Sequence, residues 1–206
     1  AYGACLLGAS FFGLRDKVPR SSGFAWGMLA LYLAIGIAVC LYVYVLSLDG
    51  PQSYYCRYDN QTHYNLARHF LDSGDWSVLH TGSGAASNEV QTGYYPAAWH
   101  LLVALVASAT GIDMPIVMNA LNAILGGVTY PLSSFVLMHA LFPARRDVLF
   151  FGAFTSVGFA CLPWVLLLKG QLLANLLSFA LIPAAIALVI AYAHAGARRH
   201  WKGLAL

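Results

Sequence analysis

Long apolar runs restrict how this chain can fold more than any other feature of the sequence. A helix needs about 20 mostly apolar residues to cross the hydrocarbon core of a bilayer. Several runs reach or pass that length, and a shorter run opens the chain. The runs are Ala1 to Leu14, Gly23 to Leu48, Pro115 to Phe142, Val148 to Leu168 and Leu172 to Ala195.

Composition places the chain in a bilayer and argues against a soluble domain. Hydrophobic residues make up 60% of it and charged residues 9%, whereas soluble domains average about 25% charged residues. The net charge of +3 comes from basic residues in short loops, a pattern of membrane orientation that does not suggest nucleic acid as a partner. The four cysteines are scattered and predict neither a zinc site nor a disulfide framework.

A weaker apolar run, from Tyr95 to Gly111, decides the topology. Its continuous apolar part, Leu101 to Thr110, has about ten residues, which is short for a spanning helix and typical of an interfacial segment. We therefore expect this run to stay on one side. Eight basic residues then share one face, which the positive-inside rule makes cytoplasmic. They are Arg15, Lys17, Arg20, Arg145, Arg146, Arg198, Arg199 and Lys202.

The predicted fold is an all-α, polytopic transmembrane helix bundle forming one domain over residues 1–206. We expect about five spanning segments, the first incomplete, in the N-terminal part of a longer protein at the plasma membrane. Residues 49–114 form a large external loop that holds six of the eight acidic residues. A short amphipathic helix is predicted there over Gln61 to Leu71, with Tyr64, Ala67 and Leu71 on its apolar stripe.

Spaced motifs in this loop resemble a known enzyme superfamily. The order is Asp59-Asn60-x-x-His63-Tyr64, then Ala67-Arg68-x-x-Leu71-x-Ser73-Gly74-Asp75-Trp76, then Tyr95-Pro96-x-x-Trp99, then Thr110-Gly111. It resembles the first external loop of GT-C membrane glycosyltransferases, and most closely that of the aminoarabinose and protein-mannosyl transferase branch. The loop plan is also similar to that of uncharacterised multi-pass proteins of actinobacteria.

The resemblance implies a chemistry and a central residue. Enzymes of that branch take a sugar from a polyprenyl phosphate at the outer leaflet, and an acidic residue early in the loop lies at the active centre. Asp59 matches it. The chain departs from the branch at Asn60, where an acid is frequent, and at Tyr95, where a lysine meets the lipid phosphate. Asn119 lies near the place of a frequent arginine. Either the contacts to the donor differ, or the activity is lost.

Two readings of Asp59 remain open. A carboxylate at a low-dielectric interface can act as the general base that deprotonates an acceptor hydroxyl, and aspartate is also among the best helix N-caps. His63 follows one helical turn later and can orient that carboxylate, share its proton or help hold a divalent cation. His80 and His100 are further candidate metal ligands, although their spacing fits no recognised metal motif.

Further polar residues are candidates for substrate binding. Tyr95 occupies the lysine position of the related loops, and His100 is expected to contact lipid headgroups. Asn119 and Asn122 share one helix face and line a sugar pocket or join helices by hydrogen bonds. Lys169, at an outer helix end, either meets a lipid phosphate or snorkels to the interface.

The function predicted from these observations is transfer of a sugar from a polyprenyl-phosphate donor to a cell-envelope glycan, lipid or protein outside the cytoplasm. The alternative is a non-catalytic membrane protein with the same loop plan, either a transporter of lipid-linked sugars or an assembly partner. Asn60 and Tyr95 favour that alternative. An ion transporter would need ionisable residues in mid-span, and the predicted spans contain almost none.

Overall fold

The structure is a computed structural model that describes residues 23–54, 59–81, 95–169 and 172–204, with side chains described up to residue 194. All regular secondary structure in these ranges is helical, so the predicted all-α class is confirmed. The helices are α1 (Gly23–Val43), α2 (Asn60–Ser73), α3 (Ala98–Thr110), α4 (Met114–Ile124), α5 (Tyr130–Leu141), α6 (Arg146–Gly158), α7 (Leu166–Leu168) and α8 (Leu173–Leu204).

Four helical segments in the described ranges are long and apolar enough to cross a membrane. Helices α4 and α5 join through a π-helical turn, Leu125–Thr129, while α6 and α7 join through Cys161–Val165, where Leu162 leaves helical geometry. The segments lie within a few residues of the predicted runs. They are Gly23–Ser47, Met114–Leu141, Arg146–Leu168 and Leu173–His194. The run Ala1 to Leu14 lies outside the described residues.

The four segments alternate in direction, which gives the bundle two distinct ends. At one end the Arg146 guanidinium lies over the Phe24 ring, 4.7 Å from its centroid. We call this the basic end. At the other end, Tyr44 of the first segment contacts Asn119 of the second, and Tyr44 belongs to the same buried core as Leu173 at the start of α8. We call this the loop end because α2 and α3 cover it.

Helix α3 corresponds to the weak apolar run. It has 13 residues, which at 1.5 Å per residue gives about 20 Å, short of the roughly 30 Å of hydrocarbon. It packs against α2, α4 and α8 and buries Trp99, Val103 and Ala107 in the same core as Tyr44 and Leu173. These contacts agree with a helix that stays at one end of the bundle.

Helix α2 covers the predicted segment and extends it by a residue or two at each end. Its buried face is centred on His63, Leu66 and Phe70 together with Ala67. The predicted stripe lies at one side of this face: Ala67 is buried, and Tyr64 and Leu71 are partly buried against the same core. The helix ends at Gly74, whose φ of 67° is a left-handed conformation that glycine adopts without strain.

Sidedness is the first prediction to test. Single cysteines at Ser87 and Asp113, in a background without the native cysteines, should react with an impermeant thiol reagent added outside the cell, because both flank the loop-end helices. A cysteine at Asp147, at the basic end, should react only after permeabilisation. Ser87 lies outside the described residues, so Asp113 carries the structural part of the test. Labelling of Asp113 from the cytoplasm alone would mean that α3 crosses and would reverse the assignment.

Candidate functional site at the loop end

Asp59 stands at the N-cap position of α2 but does not use its carboxylate as a cap. Its side chain makes no hydrogen bond to the N–H groups of the first turn, and the residue is exposed. The backbone carbonyl of Asp59 accepts the first helical bond, from the His63 N–H at 2.9 Å. The capping alternative therefore has no hydrogen bond to support it in this structure.

Tyr95 lies close enough to Asp59 for an electrostatic interaction between the two side chains. Burial raises the pKa of the Tyr95 phenol, and the negative charge of Asp59 raises it further. The Tyr95 N–H donates to Thr81 Oγ1 at 3.0 Å, which fixes the backbone where the chain enters α3. The structure thus brings together two residues that the sequence separates by a long loop.

His63 and His100 form a direct side-chain pair between α2 and α3. Nδ1 of His63 lies 2.7 Å from Nε2 of His100, so one ring donates to the other. Both residues are buried, and His100 has 0% exposure. His100 therefore has no exposed surface with which to touch a headgroup in this structure, and its polar partner is His63. The rings of Tyr95 and Trp99 pack against it.

Asn119 and Asn122 lie one turn apart on α4 and join the loop to the bundle. Asn119 accepts from the Tyr44 hydroxyl at 2.9 Å and donates through Nδ2 to the carbonyls of Pro51 and Ser53. Asn122 accepts from Trp99 Nε1–H at 3.2 Å and donates to Tyr44 at 3.4 Å. The structure shows the hydrogen-bonding alternative for both amides. Their contact with a sugar stays a prediction.

Trp99 and Tyr44 lie in the site, but the sequence analysis did not predict them as site residues. Trp99 entered the sequence analysis only as part of a motif, and its side chain has 0% exposure. The reason is its indole N–H, which finds an acceptor in Asn122 and allows the whole ring to be buried. Tyr44 lies near the end of an apolar run. Its hydroxyl was the only sequence signal that it could hydrogen-bond to an asparagine on a facing helix.

Lys169 follows the last turn of α7 and is exposed at the loop end. Near the same end, a cavity of about 300 Å³ opens between the start of α3 and the first turns of α8. Apolar and small side chains line most of it, with Trp99, Asn175 and Ser178 as its polar members. In the described ranges, no carboxylate lies within 4 Å of the Lys169 ammonium. The ammonium can therefore bind an anionic group.

His80 was predicted as a candidate metal ligand, and in the structure it pairs with Asp75. His80 Nδ1 lies 2.6 Å from Asp75 Oδ2, and Asp75 Oδ1 accepts from the Ser77 N–H at 2.9 Å. The hydrogen bond from His80 holds the pKa of the Asp75 carboxyl below its usual range. Across the ranges that the structure describes, no three His, Cys, Asp or Glu side chains are placed to hold a metal ion.

The fold and this end of the bundle define a helical membrane protein with apolar candidate spans and a polar, loop-covered end. A family model described as "Family of unknown function (DUF6541)" matches residues 3–206, so the chain belongs to that family. No curated protein and no solved structure matches the chain.

Burial of His100 predicts a pH dependence of stability. Its pKa falls from 6.5 to about 3, chiefly through burial and then through the neighbouring His63. Between those values the unfolded chain binds a proton that the folded chain does not, so the free energy of unfolding decreases as the pH falls below about 6.5. We expect a loss of about 2 kcal/mol at pH 5 relative to pH 7.5.

Thermal unfolding of the full-length protein in detergent at the two pH values measures this effect. The His100→Gln variant should lose most of the pH dependence. The depressed pKa of Asp75 acts below its ordinary value of 3.8 and so lies outside the window. An equal pH dependence in wild type and variant would contradict the assignment to His100.

Proposed function

We propose that the protein transfers a sugar from a polyprenyl phosphate to a cell-envelope acceptor, a glycan, lipid or protein, at the outer face of the membrane. The observation that carries the proposal is the Asp59 carboxylate. It is exposed at the head of α2, makes no capping hydrogen bond and lies near Tyr95 at the loop-covered end. The loop resemblance to GT-C glycosyltransferases supports the same residue.

The chemistry needs a base on one side of the anomeric carbon and a stabilised leaving group on the other. Asp59 takes the proton from the acceptor hydroxyl, the acceptor oxygen bonds to the anomeric carbon, and the carbon–oxygen bond to phosphate breaks. The electron pair of that bond leaves with polyprenyl phosphate. An exposed ammonium such as that of Lys169 can stabilise the added negative charge at the headgroup.

Transfer of label tests the proposal. Membranes with and without the full-length protein are incubated with a panel of polyprenyl phosphates, each carrying a radiolabelled sugar. We expect label to move from the organic-soluble lipid into a cell-envelope product only when the protein is present, for one donor of the panel. No protein-dependent transfer from any donor would count against the enzyme.

A second candidate is a non-catalytic protein that binds or moves lipid-linked sugars. Asn60 favours it, because the branch often has a second acid at this position. Asn60 is 6% exposed, and its backbone carbonyl accepts from the Tyr54 hydroxyl. Tyr95, a neutral residue at the lysine position, points the same way. This candidate predicts binding of the labelled lipid without release of its sugar.

A further inference from the structure

The Asp59 carboxylate makes no capping hydrogen bond, so its place over the bundle depends on what holds the head of α2. Residues 50–54 lie between the first span and that helix. Side-chain hydrogen bonds join this short segment to α4 on one side and to the first turn of α2 on the other. The segment therefore links the proposed base to the bundle.

A turn after the first span is closed by a hydrogen bond from the Ser53 N–H to the Gly50 carbonyl, at 3.0 Å. Asn119 of α4 binds this turn twice, because its Nδ2 donates to the carbonyls of Pro51 and Ser53, each at 2.9 Å. Carbonyl oxygens only accept, so these contacts fix which end of the amide carries the two N–H groups. Oδ1 then accepts from the Tyr44 hydroxyl at 2.9 Å. The amide thus ties the turn to two spans.

Tyr54 connects this turn to α2. It follows Ser53 directly, and its hydroxyl donates to the backbone carbonyl of Asn60 at 3.2 Å. Its ring packs on that of Tyr64, one turn further along α2, with the centroids 5.1 Å apart. Asn60 is the residue next to Asp59 in the chain. The backbone beside the carboxylate is therefore held from outside the helix, and we call the contacts of Asn119 and Tyr54 the loop clamp.

We propose that Asn119 and Tyr54 are positioning residues that hold the Asp59 carboxylate at a fixed place over the loop end. The inference rests on the proposed function, in which Asp59 is the general base. Both N–H donors of the Asn119 amide are used in the loop clamp, so neither is left for a sugar hydroxyl. Asn119 and Tyr54 act through Asp59, which alone takes the proton.

The loop clamp matters for the chemistry because a general base works only within hydrogen-bond reach of the proton that it takes. A displacement of about 1 Å can cost a factor of about 10² in rate. Further along α2, Leu66 and Phe70 are completely buried and anchor the helix independently of its head. Loss of the clamp should therefore loosen the first turn and leave the helix formed.

Pulsed EPR distances in the full-length protein test the loop clamp without any sugar transfer. Spin-labelled cysteines replace two exposed residues, Gln61 in the first turn of α2 and Asp113 before α4, in a background without the native cysteines. We expect a narrow distance distribution that broadens in Tyr54→Phe and in Asn119→Leu. Tyr64→Phe is the matched control and should stay narrow, because within the described ranges the Tyr64 hydroxyl makes no hydrogen bond.

Transfer rates at matched protein levels complete the test. We expect Tyr54→Phe and Asn119→Leu each to lower kcat by a factor of about 10 to 100, with the KM for the donor nearly unchanged, because the loop clamp serves the chemical step. Both residues act through one carboxylate. The double variant should therefore lose little more than the larger single change, and neither change should lower the residual rate of Asp59→Asn further.

Two results would overturn the inference. One is a distance distribution that stays narrow in both Tyr54→Phe and Asn119→Leu, and the other is a further loss of rate when either change is added to Asp59→Asn. Wild-type protein without transfer activity would overturn the proposed function, and the EPR distances would still decide whether the loop clamp holds the head of α2.

Discussion

Replacing Asp59 with asparagine is expected to lower sugar transfer by a factor of about 10² to 10⁴, the usual contribution of a positioned general base. The fold should survive the change. The Asp59 carboxylate makes no hydrogen bond to α2 in the structure, and asparagine is as good a cap as aspartate. An amide, however, offers no basic oxygen to an acceptor hydroxyl. The rate is measured as transfer of labelled sugar in membranes at matched protein levels.

Asp75→Asn is the matched control. Asp75 belongs to the same loop, but it bonds to the Ser77 N–H and to His80, so its role is to shape the turn after α2. Exposed ion pairs of this kind are worth little to stability. The control should keep nearly full activity. Equal rates in wild type and Asp59→Asn would remove Asp59 from the chemistry, and equal losses in both variants would indicate a structural effect of the loop.

Gly36→Val is expected to cause the largest loss of stability among single changes in the bundle. A Cβ at Gly36 would lie 2.7 Å from the carbonyl oxygen of Gly127 and still closer to the ring of Pro131. Backbone atoms cannot yield without moving α1 away from α5. Overpacking of this kind typically costs about 1 to 3 kcal/mol and can cost more. We expect the thermal midpoint in detergent to fall by at least about 5 °C.

The same helix supplies the control for this substitution. Gly27 also lies in α1, and a Cβ there would meet nothing within 4 Å, so Gly27→Val should unfold close to the wild-type midpoint. A fall of the same size in both variants would trace the effect to valine in the helix and not to contact with Pro131. A wild-type midpoint for Gly36→Val would mean that α1 and α5 do not pack as described.

The apolar runs predicted the fold well because one physical requirement governs them. Length and hydropathy decide which helices can cross hydrocarbon, and the four candidate spans agree with the predicted runs. The same requirement identified α3 as too short, since its 13 residues fall below the spanning length. Gly74 was also predictable, because few other residues adopt a left-handed turn without strain.

The contacts of the site were harder to predict because they depend on how α2 and α3 meet. The sequence places His63 one turn after Asp59, which suggested that the two side chains interact. The structure shows that His63 is buried against His100, a partner on another helix. Likewise, two asparagines on one face indicate a polar contact, but only packing shows that Tyr44, Trp99 and the turn at Pro51 are the partners.

The proposed function is tested most directly by the fate of the bond between sugar and phosphate. Purified full-length protein is reconstituted in liposomes with the labelled polyprenyl-phosphate sugar identified in the membrane assay and an envelope acceptor extract, and the lipid is analysed by mass spectrometry. The proposal predicts that free polyprenyl phosphate accumulates in step with glycosylated acceptor, and that neither forms with Asp59→Asn. Movement of the intact lipid-linked sugar across the bilayer, with no polyprenyl phosphate released, would contradict it and establish a transporter.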